Sequence, residues 1–459
     1  MTRSIFIGAC ALASTLAVGA ASAQTQPSNQ APAGFCGGFG GSGTPVIKPV
    51  IFPQLKFDRS DPGFDCQMWQ AFIYLNWPAQ PGQRGVPNPG ATFGAPGTTV
   101  WETYKTVEQV FLANGKNPGP WAQAAPLAAV PNSSAAQVAS GSLRALTRES
   151  KISRQVLATV AAADVDPAIL QQITQVGGGV LFDQTDNPVY YEIGMDEDQY
   201  NYVVTNGLYN ASNQLPFAQK TTIALPGGIT TYGNIGALEF KAAWKILTPA
   251  ERSSGRFHTA QAIITGTPAI IQRVTVGLVG LHLFQMLGAS TQGVWATFAQ
   301  IDNAPVNLKT AGDNAAPASR FSFNNPACAT CPVNDKQTRP TQVVQEFPDA
   351  ATSVNLNMWK MIKQYNPTAP WQYYKLVSVQ WPQTPVALSS LPVPVMAKLP
   401  EGNPSTDTLM NAVLETFLQK PKVSCLGCHQ GATIASSTTP AAKNAASYSF
   451  TFSYAQPAP

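Results

Sequence analysis

Charged side chains are scarce in this chain: they make up 11% of 459 residues, and 28 Lys and Arg nearly balance 24 Asp and Glu. No Lys- or Arg-rich run occurs, so the electrostatic footprint that a nucleic-acid partner requires is missing. Beyond the N-terminal leader no apolar stretch approaches the roughly 20 residues of a spanning helix, and no membrane span is expected. No internal repeat is evident. The low charge does not signify disorder, because 44% of the residues are hydrophobic. With 39 Pro and 36 Gly the composition is that of a loop-rich globular protein with an ample core.

The N-terminus has the plan of a secretory signal: Arg3, an apolar stretch over 5–18, and the small-residue triplet Ala21-Ser22-Ala23 before a cut at Gln24. The mature protein is therefore expected in the periplasm or outside the cell. Residues 24–44 form a flexible tail, 45–400 a large α+β domain, and 401–459 a separate C-terminal segment.

The fold class expected is α+β: a central, mainly antiparallel β-sheet with flanking helices and long loops. Apolar spacing predicts helices over 64–77, 100–112, 153–163, 166–175, 196–206, 350–365 and 405–418. Between the first two, the Pro- and Gly-rich stretch 78–97 reads as a surface loop. A hairpin is expected from 180–182 and 189–193 around Asp186-Asn187. The strongest strand signals, 237–247, 257–265 and 273–287, should form the central sheet, with a further aromatic-rich strand over 371–381.

Seven cysteines become six once Cys10 leaves with the leader. Two of them stand in Cys425-Leu-Gly-Cys428-His429, the spacing of covalent haem c attachment. There two thiols add to the vinyl groups of one rigid macrocycle and the adjoining imidazole reaches the iron. One covalent haem c is expected, bound through Cys425 and Cys428 with His429 as the proximal iron ligand; a zinc knuckle is the alternative use of such residues. Cys36, Cys66, Cys328 and Cys331 remain, and in an oxidising compartment they form two disulfides with three pairings open. A zinc site is the alternative for these four. Pro332 follows Cys331 where a second haem motif would need His.

Only 30 residues follow His429, with no Met and no His among them, so a sixth ligand of either type must come from upstream. His282 is the leading candidate for a distal ligand or catalytic group, because a polar ring in the most apolar strand needs a partner. A satisfied core histidine is the other reading. His258 reads as an ordinary strand residue, and Met286, Met358, Met361 and Met410 as core filler, Met410 drawing interest because its helix leads into the motif. Alternation sends Glu239 and Lys241 to one face of their strand, expected to be solvated unless it belongs to a site. Trp295 reads as core or pocket wall, Asp302 as part of a turn.

Several segments together resemble a group of large bacterial proteins known only as cytochrome c family proteins. The likeness spans about 64–453 and is carried by WQAFIYLNWP at 69–78, VWETYK at 100–105, NPVYYEIG at 187–194, NGLYN at 206–210 and EFKAAWKIL at 239–247. It continues through VGLHL at 279–283, WATFAQIDNAP at 295–305, PTQVVQ at 340–345, QYYKLVSVQWP at 372–382, SCLGCH at 424–429 and YSFTFS at 448–453. The resemblance implies a periplasmic monohaem protein and no particular substrate. The size of the chain favours a redox enzyme of oxidase, oxygenase or peroxidase type, its large domain shaping a pocket over the haem. An electron-transfer cytochrome docking to a partner dehydrogenase and a haem-based binder of small ligands are the alternatives. The partner is accordingly a redox protein or a small molecule.

Overall fold

The computed structural model describes residues 47–49, 61–123, 137, 141, 143–147, 179–228, 235–265, 272–287, 290–307, 321–328, 330–349, 351–382, 397–398, 409–421, 423–435 and 445–459. The leader, Cys10, Cys36 and the helices expected over 153–163 and 166–175 lie outside these residues.

A curled, mostly antiparallel sheet organises the chain. Its strands are β1 (Lys105–Thr106), β2 (Arg144–Thr147), β3 (Tyr190–Met195), β4 (Leu238–Ile246), β5 (Thr259–Thr265), β6 (Gln272–Leu287), β7 (Ser290–Gln300), β8 (Tyr374–Pro382) and β9 (Ala397–Lys398). They follow the order β1-β3-β4-β6-β7-β8-β9, with β5 also on β6 and β2 parallel to β5. Long β6 makes this possible: one edge runs along β4, while the other is shared by β5 on its first half and β7 on its second. The α+β expectation holds, and the three strongest strand signals became β4, β5 and β6. Strand β7 was not anticipated, although it lies between β6 and β8 at the centre.

The two faces of the sheet have different company. On one, where register places Phe240, Leu281, Leu283 and Phe298 together, Phe298 meets helix α1 (Asp61–Leu75). Phe72 stacks on Phe298 at 4.3 Å, Trp69 meets the same ring edge-on at 5.2 Å, and Trp101 meets Phe240 at 4.8 Å. Each such aromatic pair contributes about 0.5–1.5 kcal/mol beyond the area it buries. Helix α2 (Glu197–Thr205) begins at Asp196, whose carboxylate accepts from Gln199 N at 3.0 Å, and ends before Gly207 at φ 65°. Helix α3 (Ala211–Lys220), hidden from pattern reading by Pro216, follows. Helix α4 (Thr352–Tyr365) is tied in by buried Asn355, which accepts from Trp69 Nε1 and bonds both backbone groups of Leu376 on β8.

The expected helix over 100–112 is replaced by a 3₁₀ turn at Trp101–Thr103, the two residues of β1, and one helical turn at Val107–Val110. Tertiary contacts override the helical spacing: Glu102 turns back to accept from Thr99 N and Oγ1, and Lys105 and Thr106 pair with Met195 and Gly194. The expected hairpin around Asp186-Asn187 is present in reduced form: Phe182 and Pro188 make an antiparallel bridge flanked by Asp183 N to Asn187 O and Val189 N to Leu181 O, both at 2.9 Å, while β3 beyond it pairs with β1 and β4. The loop over 78–97 is composed of turns and isolated bridges, as expected.

The opposite face of the sheet carries the C-terminal segment. Asn411 Nδ2 donates to Thr297 Oγ1 and Phe298 O, Tyr191 OH donates to Val413 O, and a Cβ on Gly280 would stand 2.9 Å from Val413 Cγ2. Gly280 therefore lets this segment lie directly on β6. The described part of the helix expected over 405–418 is turns and a 3₁₀ turn at Thr416–Leu418. Asn411 explains the difference, since its Oδ1 caps Val413 N locally while its amide is held by β7.

Candidate haem site

Cys425–His429 is a single helical turn, here α5, opened by Ser424 Oγ accepting from Gly427 N at 3.1 Å. Two anchors fix it to the sheet. Leu426 is fully buried, and its backbone N donates to Gln380 Oε1 on β8 at 2.9 Å. The turn thus presents Cys425, Cys428 and His429 together to a cavity enclosing about 990 Å³ of empty space, counting its mouth to solvent.

The far wall is the sheet. Ile193 on β3, Glu239 and Lys241 on β4, His282 and Phe284 on β6, and Trp295 on β7 line it. Register explains the grouping, since Ile193 faces Lys241, Lys241 faces His282, and Glu239, Phe284 and Trp295 are successive cross-strand partners. Glu239 and Lys241 thus line a cavity, where a solvated face was expected. Glu239 is only 7% exposed. Trp295 is at once core and pocket wall.

His429 is held on three sides. Its ring packs against Trp295 at 4.3 Å and Phe450 at 4.9 Å, and Nδ1 lies 2.7 Å from Tyr448 O. A carbonyl can only accept, so Nδ1 carries the proton and donates it, leaving the lone pair on Nε2. Among the described residues Nε2 has no hydrogen-bond partner. Burial lowers the imidazole from its ordinary value of 6.5 to about 4, so it stays neutral at pH 7. Ser447 and Tyr448 adopt φ of 52° and 64°, a left-handed turn that non-glycine residues rarely take and that delivers the Tyr448 carbonyl.

The donor set fits a c-type haem. Cys425 and Cys428 stand as thiols, whereas Cys328 and Cys331, at the same spacing, close a disulfide. Burial, followed by the charge of Glu415, raises both thiols above their ordinary range, so they remain protonated. Among the described residues no three His, Cys, Asp or Glu side chains converge closely enough for a bare metal ion. A macrocycle takes thiols at its rim and imidazole at its centre and needs no such convergence.

His282 reaches the same cavity, with Nε2 2.7 Å from Glu415 Oε1. Glu415 Oε2 in turn accepts from Asn411 N at 2.9 Å. Although burial opposes it, the charge of His282 and its hydrogen bond hold the Glu415 carboxyl below its ordinary range. The ring is thus bound through Nε2 to a carboxylate, and its buried Nδ1 has no hydrogen-bond partner among the described residues. Lys241 Nζ lies 5.3 Å over the Tyr191 ring, with no carboxylate within 4 Å among the described residues; burial lowers its ammonium.

Met410 lines the cavity and is followed by turns rather than a helix, while Met286 and Met358 are buried in the core and Met361 packs on it. His258 is no ordinary strand residue: it precedes β5, stacks on Trp371 at 4.7 Å and faces Glu102 at 3.1 Å. Asp302 sits in a buried turn paired with Arg256. Cys66 is in a disulfide whose partner lies outside the described residues. Sequence reasoning passed over Glu415, Gln380 and the Tyr448 carbonyl. For Glu415 a signal existed, because it is the last acidic residue of the chain, ten positions before Cys425.

Among the described residues no helix is long and apolar enough to cross a membrane. Compared with protein family models, curated proteins and solved structures, the chain gives no match.

Proposed function

We propose that the chain is an exported monohaem c-type redox protein of oxidase, oxygenase or peroxidase type. One observation carries this reading: the Cys425 and Cys428 thiols and the free Nε2 lone pair of His429 open into one cavity that also holds a buried carboxyl, an ammonium and a carboxylate-bound histidine. An electron carrier needs the first three groups and has no use for the others.

Cys425 and Cys428 would hold the haem by thioether bonds and His429 Nε2 would meet its iron. Bound there, the haem supplies one-electron chemistry and a site for a small ligand. The chain's own residues supply orientation and protons. Tyr448 O fixes the His429 tautomer, and Trp295 and Phe450 fix the plane of its ring. Glu415 holds the His282 ring through Nε2 at the cavity wall, which places an acid–base group beside the position of a small ligand. The apolar side chains Phe284, Leu409 and Val423 restrict water in the cavity.

Haem staining of denatured protein and absorption spectra in both oxidation states test the proposal. The wild type should stain and Cys425→Ser should retain less haem, while a high-spin ferric spectrum that responds to peroxide or carbon monoxide is expected. A low-spin spectrum inert to both would replace the enzyme reading with electron transfer. An unstained wild type would end both.

A further inference from the structure

Glu239 has a role that haem attachment does not use. It stands on the cavity wall, and all three of its hydrogen bonds end on one oxygen: Oε1 accepts from Gln199 Nε2 at 2.5 Å, from Thr451 Oγ1 at 3.2 Å and from Ser449 Oγ. Oε2 has no hydrogen-bond partner among the described residues and is the oxygen left for the cavity. No Lys, Arg or His nitrogen pairs with this carboxyl within 4 Å among the described residues, so nothing nearby neutralises it when ionised.

The same turn that serves His429 also holds Glu239. Tyr448 O binds His429 Nδ1 and the next residue, Ser449, donates to Glu239; Phe450 packs on His429 and the next residue, Thr451, donates to Glu239. Charge placed at the ring of His429 is therefore placed close to a carboxyl in a site that water screens poorly.

We propose that Glu239 is a redox-linked proton site: when an external one-electron donor reduces the haem, the Glu239 carboxylate takes one proton from solvent at Oε2 and releases it on reoxidation. The inference rests on the haem reading above. Electron and proton together add no net charge to the cavity, which is why burial favours taking both. Burial raises this carboxyl from its ordinary value of 4.5 to about 7, against the pull of its hydrogen bonds, so near neutral pH it is poised between its two forms. The titratable groups around it are Lys241 on its own strand, Asp196 at the start of α2, His282 on β6, and Glu415, His429 and Tyr454 on the facing segment. Comparison with a Glu239 variant separates its titration from theirs.

The experiment is spectroelectrochemical titration of the haem-loaded protein from acid to alkaline pH, wild type beside Glu239→Gln. Glutamine mimics the protonated acid. The two potentials should coincide at acid pH and diverge above neutrality, the wild type falling with a change in the reduction equilibrium of up to about tenfold per pH unit, one proton per electron. Ser449→Ala, which removes a donor to the ionised form, should move the bend to higher pH and keeps the test available if Glu239→Gln does not fold. Potentials that run parallel in wild type and Glu239→Gln, or a bend unmoved by Ser449→Ala, would overturn the proposal while leaving haem binding intact. A chain that carries no haem would overturn the reading beneath it as well.

Discussion

Replacing Glu239 by glutamine should stabilise the protein at pH 8 and not at pH 4.5. Below pH 4.5 the carboxyl is protonated in both folded and unfolded chains and folding carries no ionisation cost. As pH rises from there the unfolded chain ionises while the buried group holds its proton, and stability falls until the folded group also ionises at about 7. The gap between 4.5 and about 7, at roughly 1.4 kcal/mol per pH unit, corresponds to about 3 kcal/mol lost across that window. Glutamine has no such loss, and its amide oxygen can still accept from Ser449, Thr451 and Gln199. Urea unfolding followed by circular dichroism at pH 4.5, 6 and 8 measures the difference between the two proteins. That difference should grow with pH in favour of Glu239→Gln; a constant difference, or one that shrinks, would refute the assignment of a buried, neutral-leaning carboxyl.

His282→Ala should keep the haem and its axial ligation, because Nε2 is engaged by Glu415, yet slow reaction with peroxide by on the order of 10²–10⁴. A changed ligation spectrum would place His282 on the iron instead. Arg144 and Glu192 form a buried pair at 3.3 Å, and Glu192 also accepts from Trp244 Nε1. Glu192→Ala leaves a buried guanidinium uncompensated and should cost ~3–5 kcal/mol in urea unfolding; a loss under 1 kcal/mol would contradict the burial of that pair. The Cys328–Cys331 disulfide spans a separation of only 3 residues, so the double variant C328A/C331A should lose only ~2 kcal/mol and stain for haem as the wild type does.

Elements whose local pattern agreed with their surroundings were legible in the sequence. Helix α1 has apolar residues at helical spacing and stops before Pro78, and α2 has an aspartate cap and a terminal glycine. Strands β4, β5 and β6 are rich in apolar and β-branched residues. Where side chains found distant partners, local pattern misled. The segment 100–112 reads as a helix, yet Glu102 is drawn to Thr99 and His258, and Asn411 ties the segment before the haem motif to β7. Strand β7 escaped because Gly293 and the polar residues 290–292 blur its start.

The candidate site was legible where chemistry demands a fixed spacing. Cys425, Cys428 and His429 announce themselves, and His282 was singled out as a polar ring in an apolar strand. Glu239 and Lys241 were noticed as charges in an apolar strand, but alternation says only that they share a face, not what covers it. What covers it is the C-terminal segment, brought there by contacts between residues more than a hundred positions apart, such as Tyr191 with Val413 and Thr297 with Asn411. Glu415 meets His282 across 133 positions, and the Tyr448 carbonyl meets His429 only through the left-handed turn at Ser447 and Tyr448, neither of which a local reading supplies.

The covalent state of the C-terminal segment tests the account most directly. Trypsin should release residues 423–443 of the protein as one peptide containing both Cys425 and Cys428. Its mass should exceed that of the bare peptide by one haem, and fragmentation should place the addition on the two cysteines. The bare peptide mass, or the two cysteines joined as a disulfide, would contradict the claim that this cavity is built around a haem.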